Sequence, residues 1–219
     1  HNRALTARLF ECHDRSRFEW FGFAIGRNPS DAMTARIAAG FDHFHDVGHL
    51  DEEQLVRTAR DAGLDIAVDL NGLTGEERIG IFARRVAPIQ VSYLGYAGTT
   101  GGDFMDYIVA DATVIPPGDH VHYDEKVVRL PGSFQVNDNT KAIAPVPADR
   151  ASLGLPAEGF VFACFNNSFK LTPDVFDIWM RLLRQVPGSI LWLFKGSDAS
   201  RASLLKEAAD RGITADRFV

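Results

Sequence analysis

The sequence predicts an α/β fold in which parallel strands alternate with helices. Short apolar runs such as residues 64–70 alternate with segments of helical periodicity such as residues 51–62. Repetition of this kind is typical of strand–helix–strand units, in which helices cover both faces of a parallel sheet. The alternation stops in the polar segment 137–150 and then restarts. We therefore expect two domains, at residues 1–150 and 151–219, with a linker at 137–150.

In the first domain, apolar runs predict strands and periodic segments predict helices. The strands are expected at residues 18–25, 41–47, 64–70, 89–94, 107–110 and 126–130, and the helices at 4–12, 31–39, 51–62 and 76–85. Residues 51–62 carry the clearest end signals, because the segment starts with acidic residues, carries arginine in its second half and is followed by Gly63.

The second domain repeats the same alternation over a shorter length. Strands are expected at residues 160–165 and 190–194, helices at 173–186 and 198–211, and the start of another strand at Phe218. The chain begins without methionine and stops as this last apolar run begins. We expect it to be a piece of a longer protein, with the start of its first domain missing and its second domain incomplete.

Composition and charge narrow the possible partners. The chain carries 23 basic and 29 acidic residues, a net charge of −6, which argues against a nucleic-acid-binding protein. No apolar stretch approaches the roughly 20 residues that a membrane-spanning helix requires. Cys12 and Cys164 show no disulfide spacing and are interpreted as free thiols in a reducing compartment. We expect a cytoplasmic protein without a membrane or nucleic-acid partner.

The unit most informative about chemistry is the strand–loop–helix segment 160–174. Its loop carries Asn166, Asn167 and Lys170, and Thr172 is the expected N-cap of the following helix. Ligands of open α/β sheets lie at the carboxyl ends of the strands, and a helix N-terminus there attracts anions. A lysine and two amides at that place suit a diphosphate that gains charge as it leaves. The alternative is a ligand-free turn with a solvated lysine.

Several sequence blocks resemble one family of transferases. CFNNSFKLTP at residues 164–173 resembles the C-F-N-x-x-Y/F-K-(I/L)-x-P motif of the O-GlcNAc transferase and SPINDLY family. APIQVSYLGYAGTTG at 87–101 and FMDYI at 104–108 are similar to two further blocks of that family in the same order, and ILWL at 190–193 resembles a later strand. The resemblance extends over nearly all of the 219 residues.

This resemblance implies a GT-B fold with two Rossmann-like domains, the second incomplete here, and an inverting, metal-independent glycosyltransferase. Such an enzyme is expected to move GlcNAc from UDP-GlcNAc to Ser or Thr hydroxyls of proteins, without a cofactor. The absence of an Asp-x-Asp motif agrees with metal independence. The implied partners are a nucleotide sugar, a protein acceptor and helical repeats in the full-length protein.

Alternative functions remain open at the level of the sequence. The donor could be GDP-fucose or a UDP-hexose instead of UDP-GlcNAc. A non-catalytic interaction module with the same fold is a further alternative, and the presence of Lys170 in an otherwise matched motif weighs against it. Because the second domain is expected to hold most of the nucleotide, we expect the 219-residue chain alone to lack transferase activity and to bind UDP feebly.

The resemblance also implies roles for individual residues. Lys170 is expected to stabilise the departing nucleotide, and Asn167 lies beside the phosphates where vertebrate members carry glutamine. Leu94, Gly95 and Gly98 are expected to contact the donor sugar, in or next to a glycine-rich loop at residues 95–102 that would face donor and acceptor. From composition alone this loop would be interpreted as a tortuous turn.

The histidines have more than one interpretation. By resemblance, His43 lines the catalytic cleft, and His1 matches the family's second cleft histidine. The pair His43 and His45 on one strand face, and the pair in residues 120–122, could instead suggest metal sites, but neither has a third ligand at a strong spacing. We therefore expect no metal site. Asn71–Gly72 is expected to form a tight turn.

Overall fold

The computed structural model describes residues 3–26, 30–75, 78–143 and 149–219. The chain divides into two compact units, His1–Ala142 and Ile143–Val219. Among the helices of the described residues, none is long and apolar enough to cross a membrane.

The first unit combines helices with short parallel strands. Its helices are α1 Arg3–Glu11, α2 Ala32–Ala39, α3 Glu52–Asp61 and α4 Gly80–Ala83; its strands are β1 Phe21–Ala24, β2 His43–Asp46, β3 Ile66–Asp69, β4 Ile89–Tyr93, β5 Tyr107–Ala110 and β6 Lys126–Arg129. β1 pairs with β2, and the other strands form a four-stranded sheet in the order β3-β4-β5-β6. Each of these pairings is parallel, as predicted.

Side-chain caps account for the starts of α2 and α3. Asp31 accepts a hydrogen bond from the backbone N–H of Thr34 at the start of α2. At α3, Asp51 accepts from the N–H of Gln54, and the side chain of Gln54 accepts from the N–H of Asp51. These bonds satisfy backbone donors that a helix start leaves free, so both helices begin within one residue of the predicted position.

The predicted helix at residues 76–85 is wrong in length. Among the described residues it is a single turn, α4, and residues 76–77 lie outside the description. Arg85 adopts a φ of +54°, which a right-handed helix cannot include. Its guanidinium donates to the Phe104 carbonyl at 2.8 Å and to Asp106 at 2.6 Å. These tertiary contacts, which have no signature in the local sequence, hold Arg85 outside the helix.

The four-stranded sheet is covered on one face. Ala67 and Gln90 are buried on that face, where the apolar side of α3, including Leu55, packs. On the opposite face Ile66 and Val68 are 53% and 48% exposed. The prediction that helices cover both faces is therefore wrong for this sheet within the described residues.

A buried glutamine joins α4, β4 and the segment before β5. Gln90 is fully buried, and its side-chain oxygen accepts from the N–H of Val86 at 2.9 Å. Its side-chain nitrogen donates to the carbonyls of Phe82 and Phe104 at 2.8 and 2.7 Å. All polar atoms of this amide are satisfied, which is the condition for burying it without a large penalty.

An ion pair fastens the end of the first unit to its helices. Arg36 of α2 donates to Glu11 and, at 2.6 Å, to the buried carboxylate of Asp138. Hydrogen bonds from Arg36 and then from Thr140 hold the pKa of Asp138 far below its usual range. Because the folded-state pKa is lowered, this contribution to stability is present above the ordinary Asp pKa and is lost as pH falls through the folded-state value. Residues 138–140, inside the predicted linker, are thus tied to α2.

The second unit contains β7 Val161–Cys164, α5 Pro173–Gln185, β8 Ile190–Leu193 and α6 Asp198–Asp210. β7 and β8 pair in parallel. Met180 and Leu183 of α5 pack with Leu191 in the core of this unit. The strand expected at Phe218 is a single parallel bridge to Leu191.

Replacing Gln90 by leucine should strongly destabilise the first unit. The substitution leaves the buried Val86 N–H without its partner, at a cost of about 1–3 kcal/mol. The carbonyls of Phe82 and Phe104 each lose one donor and keep a hydrogen bond from Arg85. We expect the free energy of unfolding in urea to fall by about 1–3 kcal/mol. Gln185→Leu, at the exposed end of α5, is the control and should change it by less than about 0.5 kcal/mol. Equal unfolding midpoints for the two variants would contradict the role of Gln90.

Candidate functional site

Asn167 and Lys170 lie on one tight turn between β7 and α5. Residues Ser168–Lys170 form a turn of 3-10 helix, closed by hydrogen bonds of 3.0 Å from the N–H of Lys170 to the Asn167 carbonyl and from the N–H of Leu171 to the Ser168 carbonyl. Both candidate side chains are exposed. No carboxylate of the described residues forms an ion pair with the Lys170 ammonium, so its charge is available to an anionic ligand.

The start of α5 adds backbone donors beside this turn. Thr172 occupies the predicted N-cap position and Pro173 the first turn, and the Thr172 carbonyl accepts from the N–H of Phe176. The Thr172 hydroxyl makes no capping hydrogen bond. The first N–H groups of α5 are therefore not satisfied by a side-chain cap and can donate to an anion.

Lys195 lies at the same edge of the sheet and was not identified as a candidate from the sequence. Because β7 and β8 are parallel, the loops after them lie side by side, and the N–H of Phe194 donates to the Cys164 carbonyl at 3.1 Å. A Cβ placed on Gly196 would lie 3.8 Å from the Ser168 hydroxyl, so the two loops are in contact. The position of Lys195 directly after the second strand was the signal that could have identified it.

Asn166 makes little contact with the backbone of the loop that carries it. The contact that it makes is with the Cys164 sulfur, at 3.8 Å from its side-chain nitrogen. This weak contact holds an exposed side chain, which leaves Asn166 little part in fixing the turn.

In the first unit, the loops after β3 and β4 pack closely at the carboxyl edge of the sheet. Leu94 adopts a φ of +70°, which is sparsely populated for residues other than glycine. A side chain on the following Gly95 would overlap the Leu70 carbonyl oxygen and approach Asn71. Gly95 therefore permits contact with the protein's own backbone, whereas the sequence suggested close approach to a ligand.

The Asn71–Gly72 turn has the tight form that the sequence predicted. The buried Asp69 carboxylate accepts from the N–H of Asn71 at 2.9 Å and from the N–H of Gly72 at 3.1 Å. The Asn71 side chain donates to the Gly75 carbonyl at 2.9 Å. Asp69 was not identified from the sequence. Its hydrogen bonds fix the loop against which Gly95 packs.

Gly98 packs against the side chain of a neighbour in the same loop. A Cβ at this position would lie 2.8 Å from the hydroxyl end of the Tyr96 ring. The end of a tyrosine side chain can move, unlike the carbonyl that faces Gly95. Gly95 and Gly98 thus differ in how strictly the structure requires a glycine.

The glycine-rich loop is held from outside by the segment before β6. Glu125 is 3% exposed and accepts hydrogen bonds from Thr99 and Thr100. The Tyr123 hydroxyl donates to the Ala97 carbonyl at 3.0 Å. Neither residue was identified from the sequence, because nothing in its local pattern distinguishes a buried glutamate from a solvated one.

The candidate histidines His43 and His45 of β2 each stack on an aromatic ring of β1. His43 is exposed, stacks on Phe21 at 4.5 Å between ring centroids and lies 2.7 Å from Glu19 through its Nε2. His45 stacks on Phe23. His1 lies outside the described residues. In the part of the chain that is described, no three His, Cys, Asp or Glu side chains are grouped to hold a metal ion.

Comparison with known proteins identifies the family. The model of Glycosyl transferase family 41 matches residues 3–148 and 141–219. The chain belongs to this family. The probable UDP-N-acetylglucosamine–peptide N-acetylglucosaminyltransferase SEC of Arabidopsis thaliana is 35% identical over 220 residues, which cover 98% of this chain and 22% of that protein. The probable UDP-N-acetylglucosamine–peptide N-acetylglucosaminyltransferase SPINDLY of Solanum lycopersicum is 39% identical over 150 residues, which cover 68% of this chain and 16% of that protein.

A solved family 41 relative has the same fold. The structure of a lysine-to-methionine mutant of Thermobaculum terrenum O-GlcNAc transferase matches with a TM-score of 0.88 and 33% identity. The match covers 100% of this chain and 41% of that chain. The predicted α/β fold of the GT-B type, with parallel sheets, is thereby confirmed. This chain spans less than half the length of the relatives it matches.

In two of the sequence blocks that resemble the family, some residues form hydrogen bonds within the fold. Gln90, in the block at residues 87–101, satisfies the buried amide network described above. Its backbone N–H donates to Asp106 of the block at 104–108 at 2.7 Å, and Asp106 also accepts from Arg85. The Arg85 hydrogen bond is the principal cause that lowers the pKa of Asp106. These hydrogen bonds join the two blocks to each other. In the first block, β4 leads directly to the glycine-rich loop.

Alanine substitutions at Gly95 and Gly98 should have unequal effects on stability. At Gly95 the added methyl group meets a backbone carbonyl, so the loops after β3 and β4 must separate, and we expect a loss of about 2–3 kcal/mol. At Gly98 the Tyr96 ring can swing aside, so the loss should be less than half as large. Urea denaturation of the two variants in parallel measures the difference, and equal losses would contradict this account of the loop.

Proposed function

We propose that the full-length protein transfers a sugar from a nucleotide diphosphate, UDP-GlcNAc, to Ser or Thr hydroxyls of proteins, with inversion and without a metal ion. The observation that carries this proposal is the exposed Lys170 ammonium, which forms no ion pair with a described carboxylate and lies beside the uncapped start of α5 in a family 41 chain. The SEC and SPINDLY relatives are named as UDP-N-acetylglucosamine–peptide transferases, which supports UDP-GlcNAc over GDP-fucose or a UDP-hexose as donor.

The proposed chemistry is a single displacement at the anomeric carbon. The acceptor oxygen forms a bond to the anomeric carbon from the face opposite the diphosphate, and its proton passes to solvent. The bond between the anomeric carbon and the diphosphate breaks, and the nucleoside diphosphate leaves. Negative charge then grows on the leaving phosphate oxygen, where a fixed ammonium and the N-terminus of a helix stabilise it. In this proposal Lys170 supplies the ammonium, α5 supplies the backbone donors, and Asn167 donates its amide to a phosphate oxygen.

The first unit supplies the surface for sugar and acceptor in this proposal. Leu94, Gly95 and Gly98 present the carboxyl edge of β4 to the donor sugar. His43, with its ring oriented by Glu19 and Phe21, lines the cleft on the acceptor side. The role of His1, which lies outside the described residues, rests on the sequence resemblance alone.

Lys170→Met in the full-length protein should nearly abolish transfer and leave the fold intact. Loss of one preorganised charge at a leaving group should raise the barrier by about 3–4 kcal/mol, a fall in kcat of roughly 100- to 1,000-fold. Lys206→Met, at an exposed lysine of α6 in the same unit, is the matched control and should retain wild-type kcat. If Lys170→Met retained more than a tenth of the wild-type kcat, the proposed role of Lys170 would be abandoned.

The two asparagines of the turn should separate in nucleotide binding. Asn167→Ala removes an amide that we place against the phosphates, so the affinity of the full-length protein for UDP should fall roughly fivefold to tenfold, the value of about one hydrogen bond. Asn166→Ala removes a contact with the Cys164 sulfur and should leave UDP affinity within twofold. Isothermal titration calorimetry distinguishes the two, and unchanged affinity in Asn167→Ala would remove Asn167 from the site.

A further inference from the structure

The Glu125 carboxylate accepts three hydrogen bonds from the glycine-rich loop. Its Oε1 accepts from the N–H of Thr100 at 2.8 Å and from the Thr100 hydroxyl at 2.6 Å. Its Oε2 accepts from the Thr99 hydroxyl at 2.8 Å. Glu125 lies directly before β6, yet the strand pairing of β6 with β5 is made by backbone atoms and does not involve this carboxylate.

The surrounding contacts strengthen the same attachment. The Tyr123 hydroxyl donates to the Ala97 carbonyl, and the N–H of Asp124 approaches the Thr99 hydroxyl at 3.5 Å. Three successive residues before β6 thus reach residues 97–100 of the loop. The side chains that contact the loop, from Tyr123 and Glu125, do so on either side of Gly98.

A buried carboxylate is expensive unless its oxygens are hydrogen-bonded. Burial raises the pKa of Glu125, but the hydrogen bonds from Thr100 and Thr99 outweigh it, and the pKa lies below the ordinary value. The carboxylate is therefore charged at neutral pH and accepts from all three donors. Loss of the charge or of the acceptors would leave a glycine-containing loop free to adopt other backbone conformations.

We infer that Glu125 is a positioning residue for sugar transfer, which acts through Thr99 and Thr100 to fix the shape of the glycine-rich loop where it meets donor sugar and acceptor. This inference rests on the proposed function, because the loop is a transfer surface only if the protein is a glycosyltransferase. A role in fold stability alone would lower the amount of folded protein without changing the rate of each folded molecule, whereas a positioning role changes that rate.

The test compares Glu125→Gln with Asp124→Asn in the full-length protein. Glutamine keeps the size of the side chain but offers one oxygen acceptor where three donors converge. Asp124 is the adjacent exposed carboxylate. Within the described residues its contact with Thr99 is made by the backbone N–H and its side chain makes no hydrogen bond to the loop, so Asp124→Asn should behave as wild type. Transfer rates are divided by the concentration of UDP-binding sites, which removes any loss of folded protein from the comparison.

We expect Glu125→Gln to lower kcat at least tenfold while the Kd for UDP stays within twofold of wild type. Amide hydrogen exchange at residues 95–102 should become faster in this variant and remain unchanged in Asp124→Asn. Thr100→Val should lower kcat as well, and adding Glu125→Gln to it should have less effect than in the wild-type background, because the two changes remove the same contact.

Wild-type kcat per UDP-binding site in Glu125→Gln would overturn the inference and leave the proposed function standing. Full additivity of Thr100→Val and Glu125→Gln would also overturn it, because Glu125 would then act by another route. If the wild-type protein transferred no sugar from any nucleotide diphosphate, the proposed function itself would fail, and the inference with it.

Discussion

Parallel strand pairing is the constraint on which both candidate regions depend. Because β3 and β4 run in the same direction, the loops after them meet at one edge, and Gly95 packs against Leu70 and Asn71 there. The same geometry in the second unit puts the turn with Lys170 beside the loop with Lys195. In each unit, residues that are far apart in the sequence become neighbours because the strands before them are parallel.

Buried polar side chains then determine the shapes of these loops. Asp69 closes the turn after β3, Gln90 joins α4 to β4, and Glu125 fastens the glycine-rich loop. No buried side-chain nitrogen or oxygen of the described residues lacks a hydrogen-bond partner. Complete satisfaction of this kind favours one conformation, because any alternative leaves a charge or an amide unpaired in an apolar environment.

The two units present their candidate groups differently. In the first unit the loop backbone is fixed by packing and by buried carboxylates, which suits a surface that must hold a sugar in one orientation. In the second unit Asn167 and Lys170 are exposed, Lys170 carries a positive charge, and the turn is held by backbone hydrogen bonds. An ammonium beside a helix N-terminus suits a ligand that gains negative charge.

Membership in glycosyl transferase family 41 places these observations in context, but the family blocks do not all report on a site. Gln90 and Asp106 belong to blocks that carried the resemblance, and the structure shows that they bind each other and the backbone around them. Lys170 belongs to another such block and forms no ion pair with a described carboxylate, so its charge is available to a ligand. The assignments of Lys170, Asn167, His43 and the glycine-rich loop stay predictions.

By itself, the sequence determined the alternation of strands and helices, the parallel sheets and the family, because these depend on local periodicity, helix-end signals and contiguous motifs. The start of α3 at Asp51 and the turn at Asn71–Gly72 were predictable for the same reason. Three features were decided only by the tertiary structure. They are the early end of α4 before Arg85, the exposed sheet face with Ile66, and the hydrogen bonds of Glu125 with Thr99 and Thr100. Each of these depends on contacts between residues more than ten positions apart or on neighbouring elements, and neither periodicity nor motif records such contacts.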